Sequence, residues 1–218
     1  MSETLLDHIS QTLYTAVLSD SLDSIGYRRQ VMREFIRPVH SRYTVVAGYA
    51  HTIAFVDSDA ILPNPFDAEI EAVDAIQAND MVVIATGNSI QNAPWGELLS
   101  TAAVARGARG AIIEGFVRDV KMIEALNFPV FATGMKPLDS NGRGLLTSYG
   151  KPIVCGEVEV NPGDLIVADF DGVVVIPVHL IDQTLQLASA KVTGENNSRA
   201  ELEKGAYLRD VYKKFGVL

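Results

Sequence analysis

The chain has one cysteine, Cys155, in 218 residues, so no internal disulfide can form. That fits a reducing compartment, and a cytoplasmic location is expected. Cys155 stands in the strand-like run 152–156 and reads as a small buried hydrophobe rather than a nucleophile. Long apolar runs are also missing: none approaches the roughly 18 residues that a membrane span needs. The first residues, MSETLLDHISQTLYTAV, lack the basic start and apolar core of a signal peptide. Basic residues are outnumbered by acidic ones, 18 to 27, for a formal charge of −9. Such a chain repels a phosphate backbone, which argues against nucleic acid as a partner. Its densest basic cluster, Arg28, Arg29 and Arg33, reads as a solvated helix end. The four histidines, His8, His40, His51 and His179, show no ligand spacing, which argues against zinc. No Gly-rich phosphate loop and no G-x-S-x-G elbow is present. Lys121 and Lys136 are the lysines worth naming for Schiff-base chemistry, and both read as solvated.

What is present is ordinary globular composition, 48% hydrophobic and 21% charged. It suits one domain over 1–218. Leu5, Leu6, Ile9, Leu13, Ala16 and Val17 recur at helical spacing, so a helix is expected over 3–18. A second helical turn, 22–25, ends at Gly26. Residues 43–56 are β-branched and aromatic and read as a strand. A helix over 66–77 and a strand over 81–85 follow, then a helix over 96–106, a strand over 111–113, a loop over 115–119, a helix over 120–126 and a strand over 130–132. This alternation implies a parallel core sheet with right-handed crossovers. Residues 133–151 are rich in Gly, Ser, Pro and Asn and read as a long loop, a candidate lid. Pro-Gly and Asp-Gly turns then mark an antiparallel meander up to residue 177. Helices over 178–192 and 195–214 form a C-terminal arm, about 178–218. The expected class is α/β, a parallel core sheet with an added antiparallel layer and flanking helices.

In α/β sheets, ligands collect beyond the carboxyl ends of the parallel strands. Two loops qualify, GNSIQNAPWGELL after 81–85 and EGFVRDV after 111–113. Asp119 offers one carboxylate, which suffices for Mg²⁺ when a 2-oxo acid supplies further oxygens. Arg118 beside it suits a carboxylate or a developing enolate oxygen. The plainer alternative has Asp119 capping helix 120–126 and Arg118 in a surface ion pair. Glu97, Leu98 and Leu99 fall in the first turn of a helix, whose free amides bind anions. The Leu98 and Leu99 amides then clamp a carboxylate, and Glu97 is an acid or holds a water; equally, Glu97 only complements the helix dipole. Trp95 reads as packing. Asp169 and Asp171 are explained by a tight turn.

Three stretches carry a resemblance: VLSDSLDSIG at 17–26, GNSIQNAPWGELLSTAAVARGARGAIIEGFVRDV at 87–120, and VNPGDLIVADFDGVVVIP at 160–177. They resemble the family joining 4-hydroxy-4-methyl-2-oxoglutarate (4-carboxy-4-hydroxy-2-oxoadipate) aldolases with the RraA regulator of ribonuclease E activity, formerly mislabelled as dimethylmenaquinone methyltransferase. The resemblance covers nearly the whole chain. It implies a layered β/β/α swivelling-type domain and homotrimers or homohexamers. It implies a divalent cation, Mg²⁺ or Mn²⁺, on Asp119, with Glu195 of a neighbouring subunit in the outer shell. Arg118 would contact substrate and enolate, and the Leu98 and Leu99 amides would hold the pyruvyl carboxylate. Glu97, where the family more often has Asp, would position the protonating water. Glu114 is a second departure, E-G in place of D-G. The implied activity is class II cleavage of a 4-hydroxy-2-oxo acid to pyruvate through a metal-stabilised enolate, with oxaloacetate decarboxylase activity beside it. The alternatives are a non-catalytic regulator and a lyase for another 2-oxo acid, its choice set by lid residues such as Arg143.

Overall fold

The computed structural model describes residues 4–40 and 45–217. Residues 3, 43 and 44, at the edges of two expected elements, and residue 218 lie outside the described residues. The core is a mixed sheet. In it β1 (Arg37–Pro38), β2 (Val45–Asp57), β3 (Asp80–Ala85), β4 (Gly110–Val117) and β5 (Val130–Met135) take the order β1-β5-β4-β3-β2. The neighbours β2/β3, β3/β4 and β4/β5 are parallel, as the alternating pattern implies. The crossovers are helical: α3 (Asp67–Asp74), α4 (Glu97–Ala105) and α5 (Val120–Ala125).

The expected 133–151 loop is shorter than its composition suggests. β6 (Gly144–Tyr149) pairs antiparallel with the far half of β2. The expected meander also divides. β7 (Ile153–Cys155) and β8 (Val158–Val160) form a separate hairpin. β9 (Leu165–Asp169) and β10 (Gly172–Ile176) extend the main sheet beyond β2. One strand, β2, thus carries a parallel partner on one side and two antiparallel partners on the other.

The sheet is nearly closed. At the β10 edge, the Met32 N–H donates to Val173 O (2.9 Å) and the Val175 N–H donates to Gln30 O (2.8 Å). A few residues on, β1 pairs with β5 at the opposite edge. Segment 30–38 therefore ties the two edges together and removes exposed strand edges. Strand alternation sorts the core. Met81, Val83, Ile112, Phe131, Ile166, Ala168, Val173 and Val175 point inward, where the β7–β8 hairpin adds Ile153, Cys155, Val158 and Val160. Val82, Ile84, Ala111, Ile113 and Val130 point outward beneath α3, α4 and α5. Burying each such Val, Ile or Phe contributes roughly 1.5–3 kcal/mol. Cys155 is fully buried, and that burial pushes its thiol up, away from thiolate chemistry.

The N-terminal helix breaks earlier than its periodicity suggests. α1 (Leu5–Thr12) stops at Leu13, and α2 (Thr15–Ser24) begins anew, ending near Gly26 (φ +92°). The cause is distant in sequence. Asp169 of β9 accepts from the Thr15 N–H (2.8 Å) and the Thr15 hydroxyl (2.6 Å), capping α2 from the sheet. Asp169 also accepts from the Asp171 N–H, the tight turn expected there. At the other end the break expected near 193–194 lies later: α6 (Ile181–Glu203), which lies on α2, runs through it, and α7 (Leu208–Phe215) begins after 204–207. Among the described residues no helix is long and apolar enough to cross a membrane.

Candidate active site

The loops after β3 and β4 meet, as their places at the carboxyl end of the sheet imply. Trp95 bridges to Val117, and the Arg118 N–H donates to Trp95 O (3.0 Å). Trp95 is buried, with its indole N–H on the Ser100 hydroxyl (2.8 Å), so it packs rather than stacks on a ligand. Gly96 precedes α4. A Cβ there would lie 2.8 Å from Asp119 Oδ2 and 3.1 Å from Arg118 Cγ, so the missing side chain is what lets the two loops close on each other.

A cleft of about 350 Å³ opens at this junction. One wall carries Glu97, Leu98, Leu99, Arg118 and Asp119, bringing together five of the six expected site residues. Asp119 sits in the left-handed region (φ +60°, ψ 29°), a conformation that Asp tolerates better than most residues. Its side chain does not cap α5; its backbone carbonyl receives the Met122 and Ile123 amides instead. The carboxylate turns into the cleft. There Oδ2 accepts a long bond from the Glu97 N–H (3.4 Å) and lies 3.8 Å from Arg118 Nε. The capping alternative thus fails, because the side chain faces the opposite way. Arg118 spans the cleft, with Nη1 3.7 Å from Asp139 Oδ1. Glu97 accepts from the Thr101 hydroxyl (2.7 Å), one turn along α4. Gly96 has no side chain to cap α4; Asp119 takes only the first amide, and among the described residues no oxygen accepts from the Leu98 or Leu99 N–H.

The opposite wall comes partly from the 133–151 segment read as a candidate lid and partly from α3, which the sequence did not single out. It brings Phe66, Glu69 and Ile70 from α3 and its approach, and Asp139 and Ser140 from the segment between β5 and β6. Glu69 is only 9% exposed, and its Oε1 accepts from the Ser140 hydroxyl (2.6 Å). Burial raises its pKa above the ordinary glutamate value; the Ser140 bond lowers it, Asp139 raises it and Arg118 lowers it.

Comparison with known proteins shows the family. A family model described as RraA-like, Aldolase/RraA, matches residues 15–175. The chain belongs to the Aldolase/RraA family. A Halalkalibacterium halodurans protein, provisionally named 4-hydroxy-4-methyl-2-oxoglutarate aldolase, is 33% identical over 193 residues, 88% of this chain and 86% of that protein. An uncharacterized protein from Pseudomonas syringae superposes with a TM-score of 0.86 at 26% identity, covering 99% and 95% of the two chains. Streptomyces coelicolor RraAS2, described as an unusual member of the RNase ES inhibitor RraA family, superposes with a TM-score of 0.82 at 25% identity, covering 90% and 97%.

In this Aldolase/RraA chain Glu114 anchors the start of the loop that leads from β3 to the cleft. A register shift in β4 between Ile113 and Phe116 turns Glu114 inward, where it is 3% exposed. Its oxygens accept from the amides of Thr86 (3.2 Å), Gly87 (3.0 Å) and Gly156 (2.9 Å). One carboxylate thus pins the loop after β3 and the turn of the β7–β8 hairpin to β4.

Other residues of interest lie elsewhere. Glu195, on α6, is not among the cleft residues of its own chain and accepts from the Tyr14 hydroxyl. Arg143 lines a separate depression with Asp57 and Gln91. The Lys136 ammonium rests 4.5 Å from the Phe116 ring and donates to Ile90 O, so it is engaged rather than simply solvated. Arg28, Arg29, Arg33 and Arg37 share a hollow with Glu34, Glu157 and Asp171, which offset most of their charge. The histidines make separate contacts: His40 to Phe128 O, His51 to Ala72 O, and His179 to the Tyr27 hydroxyl. Among the described residues no three His, Cys, Asp or Glu side chains form a ready-made metal cage.

Proposed function

We propose that this chain is a carbon–carbon lyase that cleaves a 4-hydroxy-2-oxo acid to pyruvate, with 4-hydroxy-4-methyl-2-oxoglutarate as the first substrate to try. The observation that carries the reading is the convergence of Arg118 and the Asp119 carboxylate with the open Leu98 and Leu99 amides of a helix start in one cleft. The relative provisionally named as this aldolase supports it.

The donor set fits Mg²⁺ or Mn²⁺: the cleft offers a half-exposed carboxylate and room for waters and substrate oxygens, with no nitrogen or sulfur ligand beside it. Asp119 would hold the ion, with Glu195 of a neighbouring copy in its outer shell in a trimer or hexamer. Such an ion supplies Lewis-acid polarisation of the 2-oxo group. The residues do the rest. The Leu98 and Leu99 amides hold the substrate carboxylate at the positive end of α4. The Arg118 guanidinium faces the 2-oxo oxygen and stabilises the enolate charge that develops as the C3–C4 bond breaks. Glu97 orients the water that protonates C3. Oxaloacetate loses carbon dioxide through the same enolate, so decarboxylation is a second activity.

The test is pyruvate release from both substrates by the wild type and Arg118→Ala. Release that falls at least about 100-fold in a folded variant supports the reading. No release by the wild type from either substrate favours the regulator reading, which the likeness to RraAS2 keeps in view.

A further inference from the structure

Cleavage of a 4-hydroxy acid needs a group to take the hydroxyl proton, and the residues already assigned are otherwise engaged. Arg118 has no acceptor to offer. Asp119 stands with the Glu97 amide and Arg118, and Glu97 is assigned to the water at C3. Asp139 is drawn to the Arg118 guanidinium, with its side chain 39% exposed.

Glu69 stands apart from these. It projects from α3 on the wall opposite Asp119, is nearly buried, and is bonded through Oε1 to the neutral Ser140 hydroxyl. A substrate whose 2-oxo end lies against Arg118 and α4 extends its 4-hydroxyl toward that wall. We propose that Glu69 is the general base of the cleavage, its carboxylate taking the 4-hydroxyl proton as the C3–C4 bond breaks. The bonding pair becomes the pyruvate enolate, and C4 leaves as a carbonyl. Water near Glu97 gives C3 its proton, and protonated Glu69 neutralises the hydroxide left behind, so the cycle closes without a co-reactant. The charged groups facing Glu69 are Asp139 and Arg118. Burial, the largest influence, raises its proton affinity and makes it a stronger base than an exposed glutamate. Ser140 fixes its orientation.

The inference rests on the lyase reading, so its test separates the two. Oxaloacetate has no hydroxyl proton to remove, and its decarboxylation needs only the enolate-forming wall. In the full-length protein with Mg²⁺, Glu69→Gln is expected to lower kcat/KM for 4-hydroxy-4-methyl-2-oxoglutarate by about 100-fold or more. Decarboxylation should stay within about threefold of wild type. Equal losses on both substrates would make Glu69 a positioning residue, and an undiminished cleavage rate would remove it from the reaction; either overturns the proposal. A wild type that acts on neither substrate, or only on oxaloacetate, overturns the cleavage reading and the proposal with it. Should Glu69→Gln not fold, Glu69→Asp must show the same substrate-selective loss.

Discussion

A Cβ on Gly96 would stand 2.8 Å from Asp119 Oδ2. The glycine and the carboxylate belong to different loops, so the position of the acid depends on an absence of atoms in its neighbour. Gly96 has an extended backbone (φ −155°) that any residue adopts, and the atom obstructed is the far end of a side chain. Gly96→Ala should therefore fold while displacing the Asp119 carboxylate. The expected result is a melting temperature within a few degrees of wild type, about 1 kcal/mol or less of stability lost, and a Mg²⁺ affinity lowered at least about tenfold. Calorimetric titration of Mg²⁺ checks it. A large drop in melting temperature would instead mark Gly96 as a folding requirement.

Glu114 holds three backbone amides, two of which, those of Thr86 and Gly156, are buried. Glu114→Ala would leave the buried Thr86 and Gly156 N–H groups unsatisfied, while the exposed Gly87 N–H turns to water. At roughly 1–3 kcal/mol for each orphaned donor, a total loss of about 3 kcal/mol or more is expected. For a chain of this length that lowers the melting temperature by roughly 6–12 °C. Thermal unfolding followed by circular dichroism checks it, and a shift below a couple of degrees would contradict the role.

Much of this architecture was legible in the sequence. The apolar runs at 81–85, 111–113 and 130–132 announced parallel strands covered on both faces, and the loops after the first two pointed to the cleft. What was illegible depended on partners far along the chain. The α1–α2 break needs Asp169, more than 150 residues away. β6 lies in a Gly- and Ser-rich stretch, and its place is fixed by the far half of β2. Glu69 looks in sequence like one more solvated acid of an amphipathic helix; only the return of Ser140 over it makes it a buried cleft residue. Residue type and place in the loop made Arg118 and Asp119 candidates with the capping and ion-pair reading left open, and the family resemblance favoured them; Asp119's turn away from its own helix is a backbone property with no local signal.

Tyr14 and Glu195 join α2 to α6. Burial, then the bond to Glu195, raises the Tyr14 pKa to about 12. Below pH of about 10 the phenol is neutral in both folded and unfolded chains, so its contribution is fully present there. As pH climbs from 10 toward 12, the unfolded chain releases the proton first and that contribution is lost. Tyr14→Phe should cost about 1 kcal/mol at pH 8. The gap between wild type and variant should narrow between pH 10 and 12. Denaturant melts across that window check it, and a gap that stays constant would contradict the assignment.

Arg118 and Asp119 are proposed to form a metal-assisted enolate site. Its most direct test is exchange of the pyruvate methyl hydrogens for deuterium in D₂O, followed by proton NMR, since exchange there requires the enolate and nothing else. The expected result is exchange by the wild type with Mg²⁺, its loss with EDTA, and its loss in Asp119→Ala. Exchange that persists in folded Asp119→Ala, or is indifferent to EDTA, would contradict it.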